Sequence, residues 1–344
     1  MKAVVFEQHG GPEVLEHRED VPEPVAGPGQ VRVRVRAASV NYLDVWTRKG
    51  LPYKIEMPHI LGNDAAGTID QVGEGVTHVA VGDEVVIAPG AGCNHCRACM
   101  DGDDMLCLSY DLFGLRKQGA YAELLVAPAR NAFARPSHLS FEEAASMGLV
   151  FLTAWHMLVG RARLQPGETV LVLAAGSGVG VAAVQIAKML GATVIATAST
   201  DAKLVRAKEL GADEAINYTT QDFALETRRI TGKRGVDVVI EHTGQATWEK
   251  SVASLARGGR LVTCGATSGF DGRTDLRALF GKSIALYGSY MGRLAEFDEV
   301  LKHIRARRLK PVIDRVLPLA QARAAHEAME NREQFGKIVL AVGD

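Results

Sequence analysis

Residues 169–190 constrain the fold most. Thr169-Val170-Leu171-Val172-Leu173-Ala174 is an apolar, β-branched run that passes straight into Ala175-Gly176-Ser177-Gly178-Val179-Gly180 and then into an apolar stretch ending at Leu190. A strand, a turn of small residues and a helix predict the first βαβ step of a parallel sheet. Small residues let the backbone turn tightly, approach a pyrophosphate and pack the helix closely on the strand. The unpaired N–H groups and positive end of the helix then favour an anion. Gly176, Ser177, Gly178, Val179 and Gly180 are therefore the candidate phosphate-binding residues. A lone glycine cluster also arises for geometric reasons, so the surrounding array carries the argument.

That array is long. The pattern predicts helix 141–159, strand 168–174, helix 179–190, strand 193–197, helix 201–210, strand 214–217, helix 221–231, strand 236–240, helix 246–257, strand 260–264 and strand 283–287. Alternating strands and helices make a doubly wound parallel sheet. Gly191 and Gly211 stand where a helix ends in the left-handed conformation. A last helix is expected near 295–307, and residues 311–342 read as strand-like runs that rejoin the first domain.

Before residue 128 the pattern differs. Residues 31–37, VRVRVRA, alternate strictly, the signature of a half-exposed strand, and Gly- and Pro-rich turns surround them. A β-rich first domain, a small barrel, is expected. With 344 residues, two domains fit the length: residues 1–128 with 296–344, and an inserted nucleotide domain at 129–295.

An NAD site usually carries an acid at the end of the second strand, about 20 residues on. Here that end reads Ala196-Thr197-Ala198-Ser199-Thr200, with Asp201 falling in the next helix. Ser199 and Lys203 suit a 2′-phosphate, which favours NADP, with NAD as the alternative. The plainer reading is that Ser199 or Thr200 caps the helix and Lys203 is solvated.

Cys93, Cys96, Cys99 and Cys107 give a C-x-x-C-x-x-C-x7-C spacing, so four of the five cysteines crowd one segment, about 90–110. In a reducing compartment this points to metal rather than disulfides. Four thiolates close a tetrahedral shell around one zinc and leave no open position, which makes the site structural. His95 is then a bystander, and Cys264 a small buried residue. The formal charge of −1, from 39 basic and 40 acidic side chains, gives no footprint for a nucleic-acid partner. The N-terminus lacks signal-peptide character and no apolar run approaches a membrane span, so a cytoplasmic protein without membrane contact is expected.

The chain resembles the medium-chain dehydrogenase/reductase superfamily, which includes zinc alcohol dehydrogenases and quinone oxidoreductases. The likeness covers MKAVVFEQHGGPEVLE, PHILGNDAAGTIDQVGEGV, the cysteine lobe, FLTAWHML, AAGSGVG, KELGADEAINY and FGKIVL. It implies an α/β fold: a GroES-like β-barrel catalytic domain plus a Rossmann domain, a cleft where they meet, and a homodimer or homotetramer acting on a small molecule. It also implies that Ser199, Lys203 and Tyr218 contact the 2′-phosphate and that Thr153 lies beside the nicotinamide. Zinc alcohol dehydrogenases hold a catalytic zinc at positions that here carry Asn41, Asn63 and Leu149, none a good ligand, and their proton-shuttling hydroxyl falls at Leu43. Asp44 and Asp64 match acidic positions of the family. The likeness is thus closer to the quinone oxidoreductases.

Asn41, Asp44, Asn63 and Asp64 are the candidate catalytic residues, with support of the barrel as the plainer reading. His59 joining Asp44 and Asp64 in a displaced metal site is a weaker alternative, and His156 reads as a core histidine. Without a Lewis acid, alcohol oxidation is the harder chemistry, while a conjugated acceptor already spreads charge. The expected function is NADPH-dependent reduction of a quinone, enone or similar activated carbonyl. Alcohol or aldehyde dehydrogenation with an unusual metal site, and a nicotinamide-binding protein with little turnover, are the alternatives.

Overall fold

The structure, a computed structural model, describes residues 1–343. Contacts divide them into two units: Met1–Leu149 with Arg293–Arg305 and residues from Lys310 on, and Val150–Gly292 with Ala306–Leu309. The first unit therefore runs past the boundary expected at 128. The reason is that Ala132–Ala134 pairs with Glu84–Ile87, and Ser39 Oγ holds the Ala145 carbonyl at 2.9 Å. Among the described residues, no helix is long and apolar enough to cross a membrane.

The first unit is built on the strand Gln30–Ser39, which pairs antiparallel with Asp64–Val72, Leu124–Pro128 and Lys337–Ala341. Val31, Val33 and Val35 point into the core, and each buried valine contributes about 1.5–3 kcal/mol relative to exposure. Arg32 and Arg34 leave by the other face and share Asp70, at 2.9 and 3.1 Å. The C-terminal strands Ile313–Pro318 and Lys337–Ala341 complete this seven-stranded sheet. The segment between them holds the helix Ala322–Glu330, which the strand-like reading of 311–342 did not anticipate.

The second unit is a six-stranded parallel sheet in the order Glu214–Asn217, Thr193–Ala198, Thr169–Val172, Val236–Glu241, Leu255–Thr263, Ala285–Gly288. The order in which successive strands are added reverses between Thr169–Val172 and Val236–Glu241, which are themselves parallel, and this is the switch point at which open α/β sheets bind ligands beyond their carboxyl ends. Helices Gly178–Met189, Asp201–Glu209 and Phe223–Ile230 stand close to their expected places, and Gly191 and Gly211 have φ of +82° and +112°. Leu276–Gly281 is a further helix, capped by Asp275.

The expected helix 141–159 is instead Phe141–Ala145, Gly148–Trp155 and a π-turn over His156–Arg161. A carboxylate enters the break: Asp64 Oδ1 accepts the Leu149 N–H at 2.7 Å, and a Cβ on Gly148 would sit 2.4 Å from that oxygen.

Gly62 precedes Asn63 with φ +105°, and a Cβ there would meet Tyr121 Cδ1 at 2.6 Å and the Ala120 nitrogen at 3.0 Å. Gly62→Ala is expected to cost about 1–3 kcal/mol, read from urea-denaturation midpoints. An unchanged midpoint would show that the loop moves freely.

Candidate functional site

The phosphate turn follows directly from the strand Thr169–Val172. Ala174 adopts φ +44°, and Ser177 Oγ caps the helix by accepting the Gly180 N–H at 2.9 Å. A Cβ on Gly180 would lie 2.4 Å from the Ala174 carbonyl oxygen, so only glycine lets the helix start this close to the strand. The first N–H groups of a helix have no partner within it. The cradle therefore fits a pyrophosphate. Thr153, buried in Gly148–Trp155, places its hydroxyl 3.9 Å from the Met291 sulfur.

Strands Thr193–Ala198 and Glu214–Asn217 end side by side, with Ala198 opposite Asn217. The Tyr218 N–H donates to the Ala198 carbonyl at 3.1 Å, which brings Ser199 and Tyr218 to one corner. Thr200, not Ser199, caps the next helix by accepting the Lys203 N–H at 3.3 Å. Asp201, in the first turn, accepts the Asn217 amide at 2.7 Å. The nearest acid is thus engaged, and Ser199 and the exposed Tyr218 stand at this corner, one helical turn before Lys203.

In the cysteine lobe the four sulfur atoms lie within 4.8 Å of one another. Zn–S bonds of about 2.3 Å fit such a set. The N–H of Cys96 donates to Cys93 Sγ at 3.3 Å, and those of Cys93 and Ser109 to Cys107 Sγ at 3.4 and 3.3 Å. Backbone N–H groups, that of His95 first, hold the Cys93 thiol down at about 6, whereas burial pushes Cys99 up to about 12. Gly92 is needed because a Cβ there would stand 2.7 Å from Cys99 Sγ. Arg130 fastens the lobe through the Gly92 carbonyl at 2.8 Å. His95 turns its ring to the Cys93 carbonyl. Cys264 is half-buried, and burial raises its thiol to about 12.

Asn41, Asp44 and Asp64 join a buried polar cluster in the first unit. Asn41 and Asp44 form a capping box at the start of the helix Tyr42–Lys49. Asp64 Oδ2 accepts from Ser39 Oγ at 3.0 Å and Asn41 Nδ2 at 2.9 Å. Lys337, only 2% exposed, donates to the Val40 carbonyl at 2.8 Å, to Asn41 Oδ1 and to Asp64 Oδ2 at 3.3 Å. Burial lowers the Lys337 ammonium. Asn41 thus has its oxygen on a cation and one N–H on a carboxylate, leaving its second Nδ2 hydrogen as a donor.

Asn63 differs. Its Nδ2 donates to the Phe113 carbonyl at 2.6 Å, and its buried Oδ1 has no partner. The carbonyl fixes the amide orientation, so Asn63 keeps an unpartnered acceptor in Oδ1 and a second hydrogen on Nδ2. His59 stands edge-on to Phe6 with ring centroids 5.6 Å apart, and its Nε2 has no partner. It does not converge with Asp44 and Asp64: among the described residues, the four cysteines are the group of His, Cys, Asp or Glu atoms close enough for one ion.

A second chain of buried contacts runs behind Asp44. Arg48 donates to His326 Nδ1 at 3.3 Å; His326 Nε2 meets Tyr121 Oη at 3.3 Å; Tyr121 donates to Asp44 Oδ2 at 3.3 Å. Since Arg48 is donor-only, His326 carries its proton on Nε2. Burial holds His326 down at about 3 and raises Asp44 to about 7. Lys337, Tyr121, His326 and His242, which touches Ser177, were not singled out in the sequence. Only FGKIVL hinted at any of them.

The Zinc-binding dehydrogenase family matches residues 178–306, and the Alcohol dehydrogenase GroES-like domain family matches 27–137. The 2-haloacrylate reductase of Burkholderia sp is 34% identical, with 98% of each chain covered. Quinone oxidoreductase 1 of Escherichia coli is 33% identical, also over 98% of each. A crystal structure of an NAD-dependent alcohol dehydrogenase is 48% identical, with TM-score 0.97 and 100% of each chain covered. The chain belongs to the medium-chain dehydrogenase/reductase superfamily, with the GroES-like and Rossmann folds of that group. Within it, this protein is an NAD(P)-dependent oxidoreductase.

Two measurements test the chemistry of these clusters. Zinc binding at such a lobe is partly folding energy. Cys99→Ser is therefore expected to lower zinc from one per chain towards zero and to lower Tm; retained metal by elemental analysis would remove Cys99 from the ligand set.

The second concerns pH. The folded Asp44 binds its proton up to about 7, above the ordinary carboxylate value of 3.8, so its contribution to stability falls as pH rises through that window. His326, held at about 3 against 6.5, contributes in the opposite sense, and the two cancel between about 4 and 6.5. His326→Gln removes one side. Relative to the wild type it is expected to gain about 1.4 kcal/mol per pH unit as pH falls through that window. Parallel pH curves for the two proteins would refute the pairing.

Proposed function

We propose that the protein is an NADPH-dependent reductase of quinones, enones and similar carbonyl-conjugated acceptors. The observation that carries this reading is the donor set at Asn41: Lys337 behind the amide oxygen, Asp64 on one N–H, and one N–H left over. A cation on the oxygen polarises the amide and strengthens that remaining donor. When bound, the nicotinamide supplies a hydride to the acceptor's β-carbon. The electron pair moves to the carbonyl oxygen, where an oriented donor stabilises developing charge. A solvent proton then completes the reduction at the α-carbon. Relatives named for 2-haloacrylate and quinone reduction support the same class. Neutral amides and a leucine at positions 41, 63 and 149 are poor zinc ligands, while the four thiols suit a structural zinc.

Ser199, Lys203 and Tyr218 would hold the 2′-phosphate, with Thr153 beside the nicotinamide. The proposal also takes the protein to be a cytoplasmic homodimer or homotetramer. Alcohol dehydrogenation is the second reading, favoured by the 48% identical structure named for it.

Initial rates separate the readings. NADPH with an enone or 1,4-benzoquinone should turn over faster than NADP+ or NAD+ with any of a panel of alcohols, and a chelator mild enough to spare the four-thiol lobe should not change that rate. Faster alcohol oxidation would overturn the proposal, and so would a rate lost to chelation and restored by zinc. Asn41→Ser keeps a capping hydroxyl but withdraws the amide donor; kcat should fall roughly tenfold to a thousandfold with little change in cofactor affinity. Lys203→Ala should weaken NADPH about tenfold or more and leave NADH unchanged.

A further inference from the structure

The helix Leu294–Arg305 opens a segment by which the chain returns from the second unit to the first, and the crossing falls between Gly292 and Arg293. The first N–H groups of a helix find no partner within it. Here that of Leu294 goes to Asp104 Oδ1 at 3.0 Å, across 190 positions. Arg293 Nη2 stands 2.6 Å from Asp103 Oδ1, an ion pair without the alignment of a hydrogen bond. The Arg293 N–H is taken locally, by the Glu296 carboxylate at 2.8 Å.

Both aspartates belong to the cysteine lobe, between Cys99 and Cys107. The Asp103 N–H donates to the Ala98 carbonyl at 2.9 Å, and the Asp104 carbonyl accepts the Cys107 N–H at 3.0 Å. The backbone that offers the buried Asp104 carboxylate to the helix is therefore the backbone that brings two of the four thiols together. A change in the thiol set, filling by zinc or its loss, acts on the start of the helix.

On the other side of the crossing lies Met291, buried and at φ +53°. A long side chain in the left-handed region is an outlier, kept only where the surroundings over-determine it. Two anchors do so: the Ser289 N–H on the Thr263 carbonyl at 2.8 Å behind it, and the Leu294 N–H on Asp104 ahead of it. The Met291 sulfur in turn accepts from the Thr153 hydroxyl at 3.9 Å. A thioether is a weak acceptor, so the hydroxyl stays available to a ligand and its place depends on where Met291 is held.

We propose that Asp104 is a positioning residue: by holding the Leu294 N–H it passes the state of the thiol lobe, filled with zinc or empty, to Met291 and the Thr153 hydroxyl. The lobe then tunes how tightly the nicotinamide end of the cofactor is held. This rests on Thr153 lying beside the nicotinamide.

A linkage of this kind is tested by coupling rather than by proximity. Calorimetry would compare NADPH with 2′-phospho-ADP-ribose, which lacks only the nicotinamide. In the zinc-loaded protein Asp104→Ala should keep one zinc per chain by elemental analysis and weaken NADPH about fivefold or more, with 2′-phospho-ADP-ribose unchanged. Asp104→Asn, whose amide oxygen still accepts the Leu294 N–H, should restore the affinity. Thr153→Ala and the zinc-free Cys99→Ser should show the same loss for NADPH alone. Cys99→Ser combined with Asp104→Ala should lose no more than either one, a non-additivity that general destabilisation would not give. Additive losses overturn the linkage, as do equal losses for the two ligands or an unchanged NADPH affinity in Asp104→Ala. Should that variant lose its zinc or fail to fold, Arg293→Gln takes its place, and a loss that is not confined to NADPH overturns the proposal. If the wild type binds neither ligand, the functional reading fails together with this one; if it binds both and Thr153→Ala matches it, only this inference fails.

Discussion

Lys337 and Asp64 form an ion pair with almost no access to water, and the first unit is organised around satisfying it. Removing two such charges from water costs several kcal/mol per ion, which their attraction offsets only if the remaining lone pairs and protons also find partners. Here those partners come from residues 39, 40, 41 and 149. The last strand, the first long strand, the start of the helix Tyr42–Lys49 and the break before Gly148–Trp155 therefore have to be in register together. The conformation of Asn41 is a consequence: both of its polar atoms are claimed by the pair, which fixes where its spare hydrogen points.

Much of the fold was legible because it is written in local patterns. Residues 169–180 specify strand, turn and helix within a dozen positions, and the alternation of residues 31–37 specifies which side of the sheet is buried. The cysteine spacing is equally local. What escaped is long-range. Lys337 meets Asp64 across 273 positions and Tyr121 meets His326 across 205, and no periodicity encodes such a meeting. The break in the expected helix 141–159 escaped for the same reason, since it depends on a carboxylate 85 residues away. Asn63 shows a subtler limit: no local pattern says that one of its amide hydrogens is taken by the Phe113 carbonyl or that its Oδ1 is buried without a partner.

On the proposed reading the two units would divide the chemical labour by kind of interaction. In the parallel sheet, cofactor contacts would come from backbone groups and small hydroxyls at the carboxyl ends of strands, where the side chains of Val170, Leu171 and Val172 are buried. In the first unit, contact with the acceptor would come from side chains that orient one another through charge. A backbone cradle tolerates sequence change provided small residues remain, whereas the amide–carboxylate–ammonium set fails if any one member is lost.

The crowding of the four thiols carries a redox consequence. Sulfur atoms within 4.8 Å of one another are close enough for stepwise oxidation by peroxide once nothing coordinates them: a thiolate takes up one peroxide oxygen and releases hydroxide, and a neighbouring thiol displaces the sulfenic oxygen as water to close a disulfide. A zinc ion in the lobe would occupy the lone pairs such oxidation requires. Loss of metal and loss of reduced thiols would then be successive stages of one injury, and storage under reducing conditions would preserve the lobe only while it can still be refilled.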